Sequence, residues 1–414
     1  MTKLLGPGIV WAEGDEHRRQ RKLVAPVFSP SAVQGMFDDI YSSAEKTANR
    51  LSSNIASSDA AKGHNVVTNI IPYISDCTLD IIGKIGFGYD FEAGESPEAK
   101  KINASWHEDV ILGRSFGGFF APILLQLCPW VTKLPIPALQ TDGMAKMITT
   151  KLAGGMYDDP HRAERGKDIL SLLKSAVGSD GEGGISRETL LANISTFLMV
   201  GHETSAGTVS CTLLELARDK RAQAKLREEL HHAGTLTYDS VQSLHYLDAV
   251  VKEGLRLHPP APRTERVALQ DDIIPLGKPV LTRDGHTIST LPVKAGQVFH
   301  LSFKALNVDS EIWGDDAEVF KPERWITPGG LPHPSELPHG PWANVASFCD
   351  GPRGCIGWRL AVLEVKLIIA MLVRRFEFGA TNHKVEQYIS PTLQSFVNGE
   401  ARIMPLYVSV VADA

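Results

Sequence analysis

Phe348-Cys349-Asp350-Gly351-Pro352-Arg353-Gly354-Cys355-Ile356-Gly357 packs three glycines, a proline and two cysteines into ten residues, directly ahead of an apolar helical pattern. No regular element accommodates that composition, so the stretch reads as a loop opening into a helix. A thiolate at a helix N-terminus meets unpaired backbone N–H groups and the positive end of the dipole, both of which lower its pKa. Arg353 adds a positive charge suited to an anionic group. Other readings of these residues stay open. A six-residue step between Cys349 and Cys355 matches no usual zinc spacing, the two could pair as a disulfide, and a lone cysteine is most often simply buried.

Downstream of the loop the helical pattern runs from Trp358 to about Arg375. From Pro259 on, on both sides of the loop, prolines are frequent and short strand-like runs (Val298–Phe303, Arg402–Val411) alternate with turn residues. The first two thirds read helical: Ala32–Ile55, then Val66–Ile85 with a stop at Gly86, then a long pattern capped by Ser186 and running to about Ala217. About 30 residues of helix make a rod of roughly 45 Å, long enough to cross a domain. Its middle, Phe197-Leu198-Met199-Val200, is apolar all round and therefore buried. Gly201-His202-Glu203-Thr204-Ser205 follows at once, and an acid with two hydroxyls in a buried helix is a local conflict of the kind that marks function. Residues 178–184 are a flexible break that fits no nucleotide-binding fingerprint.

Composition narrows the field. With 414 residues, 43% of them hydrophobic and 22% charged, the chain is neither disordered nor a small disulfide scaffold. A net charge of −6 gives no whole-chain reason to expect a nucleic-acid partner. Five irregularly spaced cysteines point to a reducing compartment. No run reaches 18 apolar residues. The nearest, 116–131, is broken by Gly117, Gly118, Pro122 and Pro129 and reads as a loop. The first eight residues lack the apolar core of a signal peptide or anchor.

The loop fits the pattern F-x-x-G-x-R-x-C-x-G at every fixed position, and in this it resembles the haem-ligand loop of the cytochrome P-450 family. The resemblance implies that Cys355 is the axial thiolate ligand to haem iron, with Phe348, Gly351, Arg353 and Gly357 shaping its surroundings. Further motifs follow in the family's order. Glu253-Gly-Leu-Arg256 resembles the E-x-x-R pair, and Phe320-Lys-Pro-Glu-Arg324-Trp the segment whose arginine completes it. Together they imply a buried structural triad of Glu253, Arg256 and Arg324, against the alternative of a surface pair worth under about 1 kcal/mol. Gly201–Ser205 resembles the oxygen-activating stretch, which implies proton delivery by Glu203 and Thr204. A zinc reading of His202-Glu203 fails, because Ala206 stands where a second histidine is required. His202 is expected to pack in the helix or face solvent. Val200 replaces the family's usual alanine or glycine and narrows the expected pocket. His17 and Arg21 resemble the W-x-x-x-R helix with histidine for tryptophan, and with Arg266 they imply contacts to haem propionates. Arg18, Arg19, Lys22, Arg359 and Lys366 are candidates for a basic patch facing an acidic redox partner.

The expected fold is mainly α with a smaller β-rich region, lacking the family's N-terminal anchor, first helices and first sheet strands. Residues 1–414 read as one domain: a helix-rich body (1–257), a β-rich segment (258–310), and the ligand loop, final helix and last strands (311–414). Strands near Val298–Phe303 are then expected to present an open edge. The implied function is a haem-thiolate monooxygenase that inserts one atom of O2 into an apolar organic substrate. Haem b is the implied cofactor. NADPH-dependent flavoprotein reductase is the implied electron source, with cytochrome b5 a second candidate, since the chain carries no dinucleotide fingerprint. The resemblance also implies a monomer at the cytosolic face of the endoplasmic reticulum membrane. Two alternatives are other haem chemistry (isomerisation, dehydration, peroxide-driven oxidation) and a truncated, non-enzymatic remnant. Substrate contacts are expected from Ser115–Leu127 and Ser390–Val397.

Overall fold

Helical spacing of apolar residues, with starts and stops set by serine, aspartate and glycine, accounts for most of the architecture. A computed structural model of the chain describes residues 8–57, 66–114, 144–158, 169–171, 186–389 and 392–411. Cys128, the segment Ser115–Leu127 and the break at 178–184 therefore lie outside the described residues. The main helices are α1 (Gly14–Val24), α2 (Phe37–Ser57), α3 (Ile71–Phe87), α4 (Pro97–Arg114) and α5 (Met144–Asp158). They continue with α6 (Arg187–Arg218), α7 (Lys220–His232), α8 (His245–Leu257) and α9 (Trp358–Arg375).

Helix α6 is the axis. Ser186 Oγ caps it by accepting from Thr189 N, and Asp219 ends it and caps α7 by accepting from Ala222 N. α3, α5, α8 and α9 pack around it, so nearly every position from Ala192 to Leu214 is buried. One cluster of buried apolar side chains runs from Ile9 to Val408.

Four small antiparallel sheets flank the helices. β1 (Val66–Asn69) pairs with the last strand. β2 (Arg263–Val267), β3 (Asp272–Leu281), β4 (Thr287–Val293) and β5 (Val298–Ser302) form two separate pairs, β2–β5 and β3–β4. β6 (Phe376–Ala380), β7 (Glu386–Ile389), β8 (Leu393–Val397), β9 (Glu400–Ala401) and β10 (Pro405–Val410) complete the set. The sheet orders are β1–β10–β6 and β7–β8–β9. Among the described residues β5 pairs only with β2, and both strands are largely exposed.

Three expectations shift. Val66–Ile85 is not one helix: Val66, Val67 and Thr68 are β-branched and pair with β10, and α3 begins only at Ile71. Its stop is Gly88, whose left-handed φ of 58° lets Gly88 N reach Lys84 O and Tyr89 N reach Gly83 O, while Gly86 is buried inside the helix. The pattern 32–55 is interrupted at Gly35–Met36, between a short helix (Pro30–Gln34) and α2. No helix among the described residues is long and apolar enough to cross a membrane.

Candidate active site

The loop before α9 takes its shape from closely spaced backbone bonds. A 3-10 turn ends at Cys349, Gly351 turns with φ 68°, and Gly354 N donates to Gly351 O at 3.0 Å. Cys355 N closes the loop on Phe348 O at 2.7 Å. Phe348 is buried and meets Trp342 edge-on at 6.2 Å, which ties the loop to the core. Cys349 has φ 56° and ψ 179°, a region open essentially only to glycine and costing other residues about 1–3 kcal/mol.

Cys355 stands at the N-terminal end of α9, where Gly357 N–H donates to its sulfur. Its side chain is open, yet protein crowds it closely enough that burial is the leading effect on the thiol, pushing the pKa up against Gly357 N–H and Arg21. Desolvation of the thiolate outweighs the helix end and Arg21, so the direction is opposite to the one the helix N-terminus alone predicts. The thiol is thus accessible while protein surrounds it closely. Gly357 beside it is uncrowded, since a Cβ there would meet only Phe28, at 3.5 Å.

At one edge, α1 presents His17 and Arg21. Arg21 Nη1 donates to Gly354 O at 2.8 Å, and Arg353 Nη2 pairs with Glu13 at 2.5 Å. Burial, then the charges of Arg353 and Arg21, lower the pKa of His17 against the opposing Glu13. Two guanidiniums and a depressed imidazole share one exposed carboxylate, so an anion placed here would relieve mutual repulsion. Arg266 on β2 reaches the ligand loop from another element, with Nη2 3.9 Å from Cys349 Sγ.

The other wall comes from α6. Between Ala192 and Leu214 the only positions not buried are Val200, Gly201, Thr204 and Gly207, which fall on one side of the helix. Phe28, beside Gly357, also packs edge-on against Phe197 at 6.1 Å and so spans from the cysteine loop to this face. Thr204 Oγ1 donates to Val200 O at 2.8 Å, leaving its lone pairs open. Gly201 has a packing reason: a Cβ there would lie 2.9 Å from Ile82 Cγ1 of α3. A small apolar cluster of Trp106, Val110, Met199, Phe396 and Ala401 borders the same part of α6.

Glu203 points away from the open face into a buried network. Its Oε1 accepts from Arg402 Nη1 at 2.6 Å and from Ser75 Oγ at 3.1 Å, and Gln394 Nε2 lies 3.4 Å from Oε2. Burial works to raise its pKa, but the Arg402 charge and contacts with His202 overcome it and hold the carboxyl well below the usual range. Arg402 itself has φ 60°. A cavity of about 430 Å3, lined in part by Ser75, Asp76, Asn103 and Arg402, reaches this network. His202 is not solvent-facing: it is fully buried, with Nδ1 2.8 Å from Leu198 O and its ring edge-on to Trp106.

Glu253, Arg256 and Arg324 do come together. Arg256 grips Glu253 through two bonds of 2.8 and 2.7 Å, Arg324 Nε is 3.4 Å from Oε1, and Trp325 Nε1 donates to Oε2 at 2.9 Å. Glu253 and Arg256 are completely buried, which rules out the surface-pair alternative. Lys366 leaves the proposed basic patch: it is buried and pairs with Asp248 at 2.6 Å. Arg18, Arg19, Lys22 and Arg359 lie on or near the surface. Sequence reasoning missed Arg402, Ser75 and Glu364. Glu364 on α9 is buried with one donor, Ser205 Oγ at 2.7 Å, and burial raises its pKa to about 8. For Glu364 a signal existed: an acid in the apolar run Leu360–Ile369 conflicts with its surroundings.

The arrangement fits haem. A soft sulfur donor is accessible, α6 carries one open stripe on an otherwise buried helix, and cationic side chains collect beside the loop where acidic substituents would sit. Comparison with known proteins points the same way. A family model described as cytochrome P450 matches residues 2–406. Cytochrome P450 monooxygenase claP of Ampulloclitocybe clavipes is 32% identical, over 97% of this chain and 76% of that protein. Cytochrome P450 monooxygenase 205 of Postia placenta is 33% identical, over 91% of this chain and 72% of that protein. Ganoderic acid synthetase CYP5150L8 of Ganoderma lucidum is 31% identical, over 93% and 75% respectively.

Proposed function

The chain belongs to the cytochrome P450 family, and on that premise we propose that Cys355 is the thiolate ligand of a haem b held between the cysteine loop and the open face of α6. It is an oxidoreductase of the haem-thiolate monooxygenase type. The open yet enclosed Cys355 thiol is the observation that carries the site assignment. When bound, the haem activates O2, so that one oxygen atom enters the substrate and the other leaves as water.

The chain's own residues have separable tasks. Gly357 N–H orients and partly neutralises the sulfur, and Phe348, Gly351 and Gly357 keep the loop in the shape that presents it. His17, Arg21, Arg353 and Arg266 hold the propionates, with Arg353 exchanging Glu13 for one of them. Gly201 lets α3 pack closely behind the open face, and Thr204 Oγ1 accepts a hydrogen bond from water on that face. Protons enter by the cavity at Ser75 and Arg402. Ser75 Oγ passes them to Glu203 Oε1, which takes one up only when its ion pair with Arg402 opens, because that charge otherwise holds the carboxyl ionised. Glu253, Arg256 and Arg324 maintain the fold beneath this apparatus.

We assign the substrate to the apolar organic class, on the exposed apolar side chain of Val200 on the open face of α6. Electrons come from NADPH through a separate flavoprotein reductase, with cytochrome b5 as a second donor. The protein acts as a monomer at the cytosolic face of the endoplasmic reticulum. The reduced protein with carbon monoxide should give the strongly red-shifted Soret band of a thiolate-ligated haem. Cys355→Ala should abolish it and Cys349→Ala should leave it. A protein that takes up no haem, or keeps the band without Cys355, overturns the assignment. Spin-state shifts on titration with terpenoids, fatty acids and aromatics would then sort substrate classes.

A further inference from the structure

The ligand loop holds a second thiol that the family motif does not require. Cys349 follows Phe348 directly, and the bond from Cys355 N to Phe348 O, 2.7 Å long, brings the two ends of the loop together. By covalent geometry that bond places the Cα atoms of Cys349 and Cys355 no more than about 7 Å apart. Disulfides span about 4.4–6.8 Å between Cα atoms, so the pair lies at or near bonding range. Gly351 and Gly354 lie between them. Cys349 is half-buried and Cys355 open, whereas Cys77 and Cys211 are deeply buried. Cys349 also occupies a backbone conformation suited to glycine, so a thiol is present where local geometry disfavours any side chain.

We propose that Cys349 and Cys355 are a redox pair, closing into an intraloop disulfide in the haem-free chain and thereby gating haem loading. The oxidant is a low-molecular-weight disulfide of the glutathione type. One loop thiolate attacks it, forming a mixed disulfide and releasing one glutathione thiolate. The second loop thiolate attacks the mixed disulfide, forming the Cys349–Cys355 bond and releasing the other. The loop loses two protons and two electrons, and the oxidant becomes two thiols. The sulfur of Cys355 is then bound to sulfur and is no longer a thiolate donor. This rests on the reading of Cys355 as iron ligand.

The test uses the full chain expressed without added haem and treated with glutathione disulfide. Alkylation of remaining thiols and mass mapping should find the peptide containing both cysteines two hydrogens lighter. Haem uptake should be lost and then restored by dithiothreitol. Cys349→Ser, and Cys349→Gly as the better fit to the backbone, should form no loop disulfide and keep uptake after glutathione is removed by mild reduction. Haem-loaded protein should resist oxidation. A wild-type loop that only acquires glutathione, or Cys349 variants that lose uptake as wild type does, overturns the gate. A loop disulfide that forms while haem uptake is unaffected instead overturns Cys355 as ligand.

Discussion

Glu253→Gln should destabilise the protein by about 3–5 kcal/mol, the cost of leaving a buried charge without its partner. The magnitude follows from how little Arg256 has besides this carboxylate. Its other polar contacts are carbonyls, Nη1 to Asn307 O at 2.8 Å and to Ala317 O at 2.5 Å, and Nη2 to Val319 O at 3.3 Å, and its guanidinium lies over the Trp313 ring at 4.9 Å. Arg324 fares better, since Asp316 Oδ1 stays 2.9 Å away. Glutamine matches the volume but sets an amide N–H2 either against Arg256 Nη2 and Lys321 N or, turned over, against Arg256 Nε and Trp325 Nε1. Against a typical total of about 5–15 kcal/mol, the loss is roughly a fifth or more. At about 2 °C per kcal/mol for a chain of this length, Tm should fall by roughly 6–10 °C. Urea unfolding followed by circular dichroism gives the free energy, and scanning calorimetry the Tm. The double variant Glu253→Leu with Arg256→Met should recover most of the loss, because it removes both charges together. A loss below about 1 kcal/mol would mean that the pair behaves as a solvated one and would refute the reasoning. A double variant no better than the single would shift the cause from charge to packing.

Glu364→Gln should stabilise the protein at high pH and not at low pH. The folded-state pKa of Glu364 is raised from an ordinary 4.5 to about 8. Its stabilising effect is therefore full below pH 4.5 and lost as pH rises to about 8, reaching on the order of a few kcal/mol. Unfolding curves from pH 4 to 9 that run parallel for variant and wild type would disprove this. Cys349→Gly should raise stability by about 1–3 kcal/mol by removing a side chain from a glycine-only conformation, and an unchanged urea midpoint would contradict it. Gly201→Ala should cost about 1–3 kcal/mol, because the new methyl meets Ile82 at 2.9 Å. Ile82→Ala in the same chain should return part of that loss, and additive effects in a double-mutant cycle would count against the contact.

Much of this site was legible along the chain because its parts are local. The loop 348–357 declares itself through residues that exclude regular structure. Ser186 marks the start of α6 because a cap acts within one turn, and Glu253 and Arg256 meet because helical geometry brings i and i+3 together. Errors arose where a distant partner overrode a local pattern. Val66–Asn69 reads as helical until β10, more than 330 residues away, supplies a ladder. Lys366 reads as a surface charge until Asp248 draws it inside.

Sequence alone placed Cys355 at a helix N-terminus and Thr204 in the middle of a buried helix, because spacing and turn chemistry act over a few residues. Tertiary structure decided the charge states. Protein crowding around the open Cys355 thiol desolvates its thiolate, and the thiol shifts up where local reasoning predicts down. Arg402, 199 positions from Glu203, holds that carboxyl ionised. Ser205 gives Glu364 a single donor, and the acid keeps its proton to about pH 8. Backbone form follows from neighbours in the chain, whereas desolvation and Coulomb energy depend on everything within several ångströms, which only folding brings together.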